Sequence, residues 1–237
     1  MDTIQDALAV LEKDQINNIS LINFVRNYPV ISIDIIGDSV FARGESDRPW
    51  IYISCRDKVE LLLIKNKLNQ DDKNFAVIDD WMMPVLTESK KINWDLFMIQ
   101  YYLPENIHPQ PPGYKSVPLT SRDADIVYSN SEYKDYISIE YILDRINKGI
   151  SAGLYENNNL VSWAITQDDG AIGFLHTVDN YRRKGYAKNV MLSMIEKLRG
   201  KGELPFAFTD VNNTKTGDLL IELGFKENKR IHWFQIK

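Results

Sequence analysis

The sequence predicts an α/β (α+β) fold built from two tandem units. Helical periodicity and β-rich runs alternate along the chain, and one order of elements occurs twice: helix, helix, three strands, helix, strand, helix, strand. Five of the nine prolines fall within residues 104–118 and separate the two occurrences. A length of 237 residues accommodates two small domains. We therefore expect a first unit at residues 1–105, a linker at 106–116 and a second unit at 117–237.

The first unit alternates two kinds of pattern. Apolar residues at helical spacing predict its helices, and runs rich in β-branched and aromatic residues predict its strands. The dipeptide Gly37-Asp38 between the first two strand patterns is typical of a tight hairpin. The expected helices are 7–12, 19–27, 58–68 and 82–90, and the expected strands are 30–36, 39–43, 50–55, 75–78 and 95–103.

The second unit repeats this order after the linker, whose prolines cannot join a helix interior or a sheet ladder. Its strands 151–155 and 160–166 flank a polar turn at residues 156–159. The expected helices are 121–127, 139–146, one beginning near Gly185, and 215–223. The remaining expected strands are 172–178, 205–211 and 230–236.

Composition excludes several functional classes. No apolar run approaches the roughly 20 residues that span a bilayer, and the acidic start at residues 1–6 is unlike a secretory signal, so we expect a cytoplasmic protein. The single Cys55 rules out an internal disulfide framework, and no Cys/His cluster has zinc spacing, so no metal is expected. A net charge of −5 disfavours a nucleic-acid module.

Residues 170–188 carry the most informative pattern: an apolar strand, a tight turn with basic residues and a glycine, and a long amphipathic helix. A helix N-terminus offers unpaired N–H groups to an anion, and Gly185 lets that anion approach the backbone. Residues 182–202 contain seven basic residues and one acid, a net charge of +6 (7 − 1) in an acidic chain. The stretch predicts a pyrophosphate cradle, with a solvated lysine-rich helix face as the alternative.

The turn also carries a family resemblance. Arg182-x-x-Gly185-x-Ala187 resembles the (Gln/Arg)-x-x-Gly-x-(Gly/Ala) signature of the GNAT (Gcn5-related N-acetyltransferase) superfamily. Asn213, Leu219 and Gly224-Phe225 stand at the spacing of that family's second signature. The resemblance implies two GNAT-like domains, each a mixed, mostly antiparallel sheet flanked by helices. It implies that acyl-CoA binds at Thr177, Val178, Arg182, Arg183, Lys184, Gly185, Tyr186, Ala187, Lys188 and Asn213. The oxyanion donor is expected to be a backbone N–H at about Val178, with Thr177 beside it.

The second unit is also similar to a narrower group, the glycine N-acyltransferase-like branch of this superfamily. That similarity implies transfer of an acyl group from coenzyme A to a primary amine, often the amine of an amino acid. It rests on Leu119-Thr120, Asp123-Ala124, Gly149-Ile150-Ser151, Val161-Ser162-Trp163, Asp169-Gly170 and Tyr181-Arg182.

Two departures from the family concern proton transfer. Ala171 stands where related enzymes carry a glutamate base, and Leu220 replaces the usual tyrosine acid. The sequence therefore predicts no single essential side-chain base. An α-amine has a reference pKa of about 8, so part of it is already neutral near pH 7. Water or a nearby group would take the remaining proton, and the candidates are Asp168, Asp169 and His176. A turn role for Asp169 and a core role for His176 are the structural alternatives.

The predicted function is that of an acyl-CoA-dependent N-acyltransferase (EC 2.3.1 type), with acetyl-CoA as the first donor to test and a small amine as acceptor. A catalytically silent GNAT-fold protein that binds or senses acyl-CoA is the alternative. The first unit leaves its third strand through residues 56–60, which contain two acids and no glycine, so we assign it no cofactor. Three roles stay open for that unit: covering the second sheet, completing an acceptor pocket, or forming a homodimer.

Overall fold

The computed structural model describes residues 2–237, which fold into two compact units. The first consists of the chain up to Gln100 together with Thr209–Asn212 and Asn228–Lys237. The second consists of Tyr101–Phe208 and Asn213–Glu227.

The helices and strands follow the predicted order. The helices are α1 (Ile4–Leu11), α2 (Gln15–Asn27), α3 (Lys58–Lys67), α4 (Met83–Leu86), α5 (Ala124–Ser129), α6 (Ile139–Lys148), α7 (Tyr186–Gly200) and α8 (Thr214–Glu222). The strands are β1 (Val30–Ile36), β2 (Ser39–Glu45), β3 (Pro49–Ser54), β4 (Asn74–Asp79), β5 (Ile92–Tyr102), β6 (Ser151–Glu156), β7 (Asn159–Thr166), β8 (Ile172–Thr177), β9 (Phe206–Asp210) and β10 (Lys226–Ile236).

The first unit is a mixed, mostly antiparallel sheet with the strand order β1-β2-β3-β4-β10-β5. Strands β1, β2 and β3 form an antiparallel meander, whereas β3 and β4 run parallel. Burial of large apolar side chains holds the sheet together: the rings of Phe75 and Phe234 are fully buried and stack 4.7 Å apart. Leu61 and Ile64 of α3 belong to the same buried cluster.

The last strand corrects the predicted domain assignment. Residues 230–236 were expected in the second unit, but β10 pairs antiparallel with β4 of the first unit, with Ile231 opposite Asp79 and Phe234 opposite Phe75. A strand's alternating pattern predicts that it forms a strand and which face it buries, but does not identify its neighbour. Burial of Phe234 and Ile236 in the core of the first unit decides the pairing.

The second unit has the strand order β9-β8-β7-β6. The three strands β6, β7 and β8 are antiparallel, whereas β8 and β9 are parallel neighbours paired at Ile172 and Ala207. Trp163 on β7 is fully buried in a cluster that includes Val127 of α5 and Ile142 of α6. The mixed, mostly antiparallel strands of each unit and the helices that flank them confirm the predicted fold class.

Two elements differ locally from the prediction. The helix expected at 82–90 is reduced to α4, because Ser89 adopts a left-handed backbone (φ +61°) that a continuing α-helix cannot contain. The helix expected at 121–127 begins as a 3₁₀ turn at Ser121–Asp123 before α5. Within residues 2–237, no helix combines the length and apolar composition needed to cross a membrane.

Candidate active site

The turn between β8 and α7 forms an open backbone cradle. Gly185 is the N-cap of α7 and lies in the left-handed region (φ +78°), and Arg183 also has a positive φ of +63°. No side chain caps this helix, and a Cβ added at Gly185 would meet no atom within 4 Å. The first-turn N–H groups, at Tyr186, Ala187 and Lys188, therefore face a space that an anion can enter.

The basic residues of this stretch do not all serve the cradle. Lys197 donates from Nζ to the Ser151 carbonyl (2.6 Å), and Arg199 donates from Nη2 to the Pro104 carbonyl (2.8 Å). These two cations stabilise backbone elsewhere in the second unit. The sequence-based charge of +6 over residues 182–202 thus overstates the positive charge at the cradle.

Closer to the turn, two cations are paired with carboxylates. Arg182 forms an ion pair with Asp179 (2.8 Å) and Lys188 one with Glu222 (2.6 Å). Arg183 and Lys184 are both exposed and, among the described residues, form no ion pair. We therefore regard Arg183 and Lys184 as the cations available to a bound phosphate.

A gap beside β8 offers a second backbone donor. The N–H of Val178 donates to the Val161 carbonyl (3.0 Å), so it is committed to the β7 ladder, and Thr177 beside it is the position left for the predicted oxyanion donor. In an antiparallel ladder, hydrogen-bonded and non-hydrogen-bonded pairs alternate. Thr177, opposite Ser162, therefore directs its N–H and carbonyl away from β7 and toward the side of β9.

The gap is inferred from the strand pairing, because β8 and β9 are paired near the start of β8. Their register pair, Ile172 with Ala207, lies five residues before Thr177 along β8. Arg182 reaches the same side, where its Nε donates to the Thr177 carbonyl (3.1 Å). The Thr177 amide is consequently the strand donor that a ligand in the gap would meet.

His176 faces the side of the sheet that α5 and α6 cover. Its ring stacks on Trp163 at 4.8 Å, whereas the Thr177 hydroxyl bonds Ser162 Oγ (2.8 Å) on the opposite face. Burial, with the charge of Arg182 as the second cause, lowers the pKa of His176 below its usual value. The imidazole is half-buried and neutral at pH 7, so it is able to accept a proton.

The two aspartates are held by turn and core contacts. Asp169 is 1% exposed, and its Oδ1 accepts the Ala171 N–H (3.0 Å), which closes the turn before β8. Asp168 accepts a hydrogen bond from the Tyr141 hydroxyl (3.1 Å). Burial, followed by the charge of Asp168, holds the pKa of Tyr141 well above its usual value. Both carboxylates therefore have structural partners.

The remaining predicted positions have structural environments. Ala171 and Leu220 are both fully buried, so neither side chain reaches a ligand. Asn213 is the N-cap of α8, where its side chain accepts the Thr216 N–H (3.2 Å). Within residues 2–237, no group of three His, Cys, Asp or Glu side chains is arranged to hold a metal ion.

Sequence analysis missed two residues beside the cradle, Tyr114 and Asn189. Asn189 is buried within the apolar face of α7 and bonds the backbone of Tyr114 in the proline-rich segment. The signal available in the sequence was a polar Asn189 immediately before the apolar pair Val190-Met191. Its partner could not be read from the pattern because the two lie 75 residues apart.

Comparisons with known proteins agree with this architecture. A family model described as FR47-like protein matches residues 147–234. A crystal structure of a Drosophila protein has a TM-score of 0.75 at 15% identity and covers 99% of this chain and 90% of its own. A GCN5-related N-acetyltransferase-like protein from Streptococcus suis has a TM-score of 0.55 at 14% identity, covering 99% and 100%.

A tandem GNAT protein from the clavulanic acid biosynthesis pathway has a TM-score of 0.50 at 11% identity, covering 99% of this chain and 96% of its own. No curated protein matches the sequence. The structural likenesses show that the chain has the fold of these GNAT proteins. The similarity to the glycine N-acyltransferase-like branch stays a prediction.

Proposed function

We propose that this GNAT-fold chain is an N-acyltransferase that moves an acyl group from acyl-CoA, in the first instance acetyl-CoA, to the primary amine of a small molecule. One observation carries the proposal: the uncapped N-terminus of α7 at Gly185 follows a strand whose Thr177 N–H faces an open gap. The cradle suits a pyrophosphate, and the gap suits a thioester.

In the proposed reaction, the amine attacks the thioester carbonyl and the thiolate leaves. The first-turn N–H groups of α7 hold the pyrophosphate, with Arg183 and Lys184 supplying positive charge. Negative charge develops on the carbonyl oxygen, and the Thr177 N–H is the donor that stabilises it. In this proposal, the first unit carries no acyl-CoA site.

We assign proton removal to His176. Its pKa is lowered by burial and by Arg182, so the neutral form predominates at pH 7. It is adjacent to Thr177 in sequence and faces the α5 and α6 side of the sheet. The burial of Asp169 and the hydrogen bond that Asp168 accepts from Tyr141 disfavour the other two candidates.

The second candidate function is a catalytically silent acyl-CoA-binding protein or sensor. The buried Ala171 and Leu220 favour it, because they occupy the positions where the family usually carries a base and an acid. Neither of these apolar side chains can accept or donate a proton. The cradle is neutral between the two candidates, since both need coenzyme A.

A two-stage experiment tests the proposal. Calorimetry with coenzyme A first measures binding to the full chain. Free-thiol release is then followed with acetyl-CoA and longer acyl-CoAs against a pooled panel of amines and amino acids. Binding with thiol release supports the enzyme, and binding without release from any amine up to pH 9 supports the sensor. Absence of coenzyme A binding overturns both.

A further inference from the structure

Asn189 fixes the proline-rich segment against the first turns of α7. The Tyr114 N–H donates to Asn189 Oδ1 (2.6 Å), and Asn189 Nδ2 donates to the Tyr114 carbonyl (2.9 Å). Asn189 is only 4% exposed, so both hydrogen bonds are shielded from water. Because the side-chain amide of Asn189 bonds both the backbone N–H and the backbone carbonyl of Tyr114, it fixes the position of the Tyr114 backbone.

The Tyr114 ring, by contrast, is exposed. It is 55% accessible and meets the Tyr186 ring edge-to-face, with centroids 5.6 Å apart and planes at 87°. Tyr186 is itself held, because its hydroxyl donates to the Glu156 carboxylate. That bond raises the pKa of Tyr186 to about 12, so the hydroxyl stays protonated at neutral pH.

A cation lies beside these rings. Lys184 Nζ is 4.9 Å from the Tyr181 ring centroid and 6.0 Å from that of Tyr186. Lys184 and the neighbouring Arg183 are exposed. The N-terminal end of α7 thus presents aromatic faces and positive charge next to its free N–H groups.

These features together match one ligand chemistry. Exposed aromatic rings stack on purine bases, and nearby cations bind phosphate. A ring whose backbone is already fixed loses little conformational entropy when a base stacks on it. An acyl chain or a bare pantetheine arm would use neither feature.

We propose that Tyr114, positioned by Asn189, is the platform for the adenosine end of the donor, so that this site selects nucleotide-bearing thioesters over shorter pantetheine thioesters. The inference rests on the proposed function and deepens it. Tyr114 acts on donor recognition, and Asn189 is its positioning residue.

The test compares two ligands that differ in the adenosine end: coenzyme A and 4′-phosphopantetheine. Dissociation constants are measured calorimetrically for wild type, Tyr114→Ala and Tyr114→Phe in the full chain. Base stacking predicts that Tyr114→Ala weakens coenzyme A binding by about 5- to 150-fold. Tyr114→Phe keeps the ring and should stay within twofold of wild type. Neither substitution should change 4′-phosphopantetheine affinity by more than twofold.

Three results would overturn the inference: coenzyme A affinity within twofold of wild type in folded Tyr114→Ala, an equal loss for both ligands, or wild-type protein that binds them equally tightly. Asn189→Ala should weaken the binding of coenzyme A as Tyr114→Ala does and leave the affinity for 4′-phosphopantetheine unchanged. If Asn189→Ala bound coenzyme A as tightly as wild type, Asn189 would not be a positioning residue. Failure of wild type to bind coenzyme A would instead overturn the proposed function itself.

Discussion

Asp57 and Gly185 hold the same position, the N-cap, in the two helices that follow the third strand of each unit. Asp57 Oδ1 accepts the N–H groups of Val59 (2.8 Å) and Glu60 (3.0 Å), so α3 is capped by its own carboxylate. Gly185 has no side chain and leaves the first turn of α7 open. The first-turn N–H groups are thus hydrogen-bonded by the N-cap carboxylate in the first unit, whereas in the second unit they are left for a ligand.

An aspartate at position 185, the equivalent of Asp57 in the first unit, should close the cradle. We predict that Gly185→Asp weakens coenzyme A binding by about 10- to 150-fold, because a negative charge opposes the pyrophosphate and competes for its donors. The added Cβ meets no neighbour, and aspartate is among the residues that adopt a left-handed backbone at modest cost, so the strain at φ +78° should leave the fold intact. Calorimetry on folded protein measures the effect.

Gly185→Asn is the matched control for this substitution. Asparagine has nearly the same shape and also tolerates a left-handed backbone, but it carries no charge. We expect it to lose less affinity than Gly185→Asp. If both variants bound coenzyme A as tightly as wild type, the cradle would not be the pyrophosphate site.

His176→Gln tests the proposed proton acceptor. We expect kcat at pH 7 to fall by about 10²- to 10⁴-fold, the range for loss of a positioned base, with coenzyme A affinity unchanged. In wild type, kcat should fall as pH drops through the lowered pKa of His176, since the protonated ring cannot accept. A pH–rate profile at saturating amine measures both effects.

If kcat of His176→Gln fell by less than tenfold, water rather than His176 would be the proton acceptor. Ala171 and Leu220, taken alone, suggest that alternative. Asp169→Asn is the comparison variant. It should keep kcat within a few-fold because Asp169 serves the turn, where its Oδ1 accepts the Ala171 N–H. A 10²-fold loss in Asp169→Asn with intact binding would identify that carboxylate as the base instead.

Phe234 tests whether the C-terminal strand belongs to the first core. We predict that Phe234→Ala destabilises the first unit by about 3–5 kcal/mol, because it removes a fully buried ring stacked on Phe75. Phe234→Leu should cost less, since it leaves a smaller cavity. Urea unfolding followed by hydrogen exchange in each unit measures the loss, and coenzyme A affinity should be retained. Destabilisation confined to the second unit would contradict the pairing of β10 with β4.

His232 makes the first unit sensitive to pH. Its Nδ1 lies 2.8 Å from Asp95 Oδ1 and its Nε2 3.0 Å from Asp80 Oδ1, so β10 is tied to carboxylates on β5 and just after β4. Burial lowers the pKa of this buried histidine, but the hydrogen bonds to Asp95 and Asp80 outweigh burial, and the pKa is raised overall.

The sign of the pH effect follows from that raised pKa. The folded state holds the imidazole proton more tightly than the unfolded state, whose reference pKa is about 6.5. The stabilisation from His232 is therefore fully present below about pH 6.5 and is lost as pH rises through the folded pKa. We predict that the stability difference between wild type and His232→Gln, measured in urea from pH 5.5 to 9, shrinks as pH rises. A difference constant over that range would refute the role of the charged ring.

Local patterns accounted for most elements and for the cradle. Each helix and strand of the second unit was predicted to within about five residues, because apolar periodicity reflects the face that each element buries. Gly185 was identified because a residue without a side chain lets an anion approach the helix N-terminus closely. The charge estimate failed for Lys197 and Arg199, since a count of charges cannot show which carbonyls the side chains reach.

By itself, the sequence determined the order of elements, the apolar face of each and the open end of α7, because these depend on residues close together in the chain. Only the tertiary structure decided that β10 enters the first sheet, that the Val178 N–H is used by Val161, and that Asn189 holds Tyr114. Such pairings depend on which surfaces fit and bury together over long sequence separations, and local periodicity carries no information about the partner.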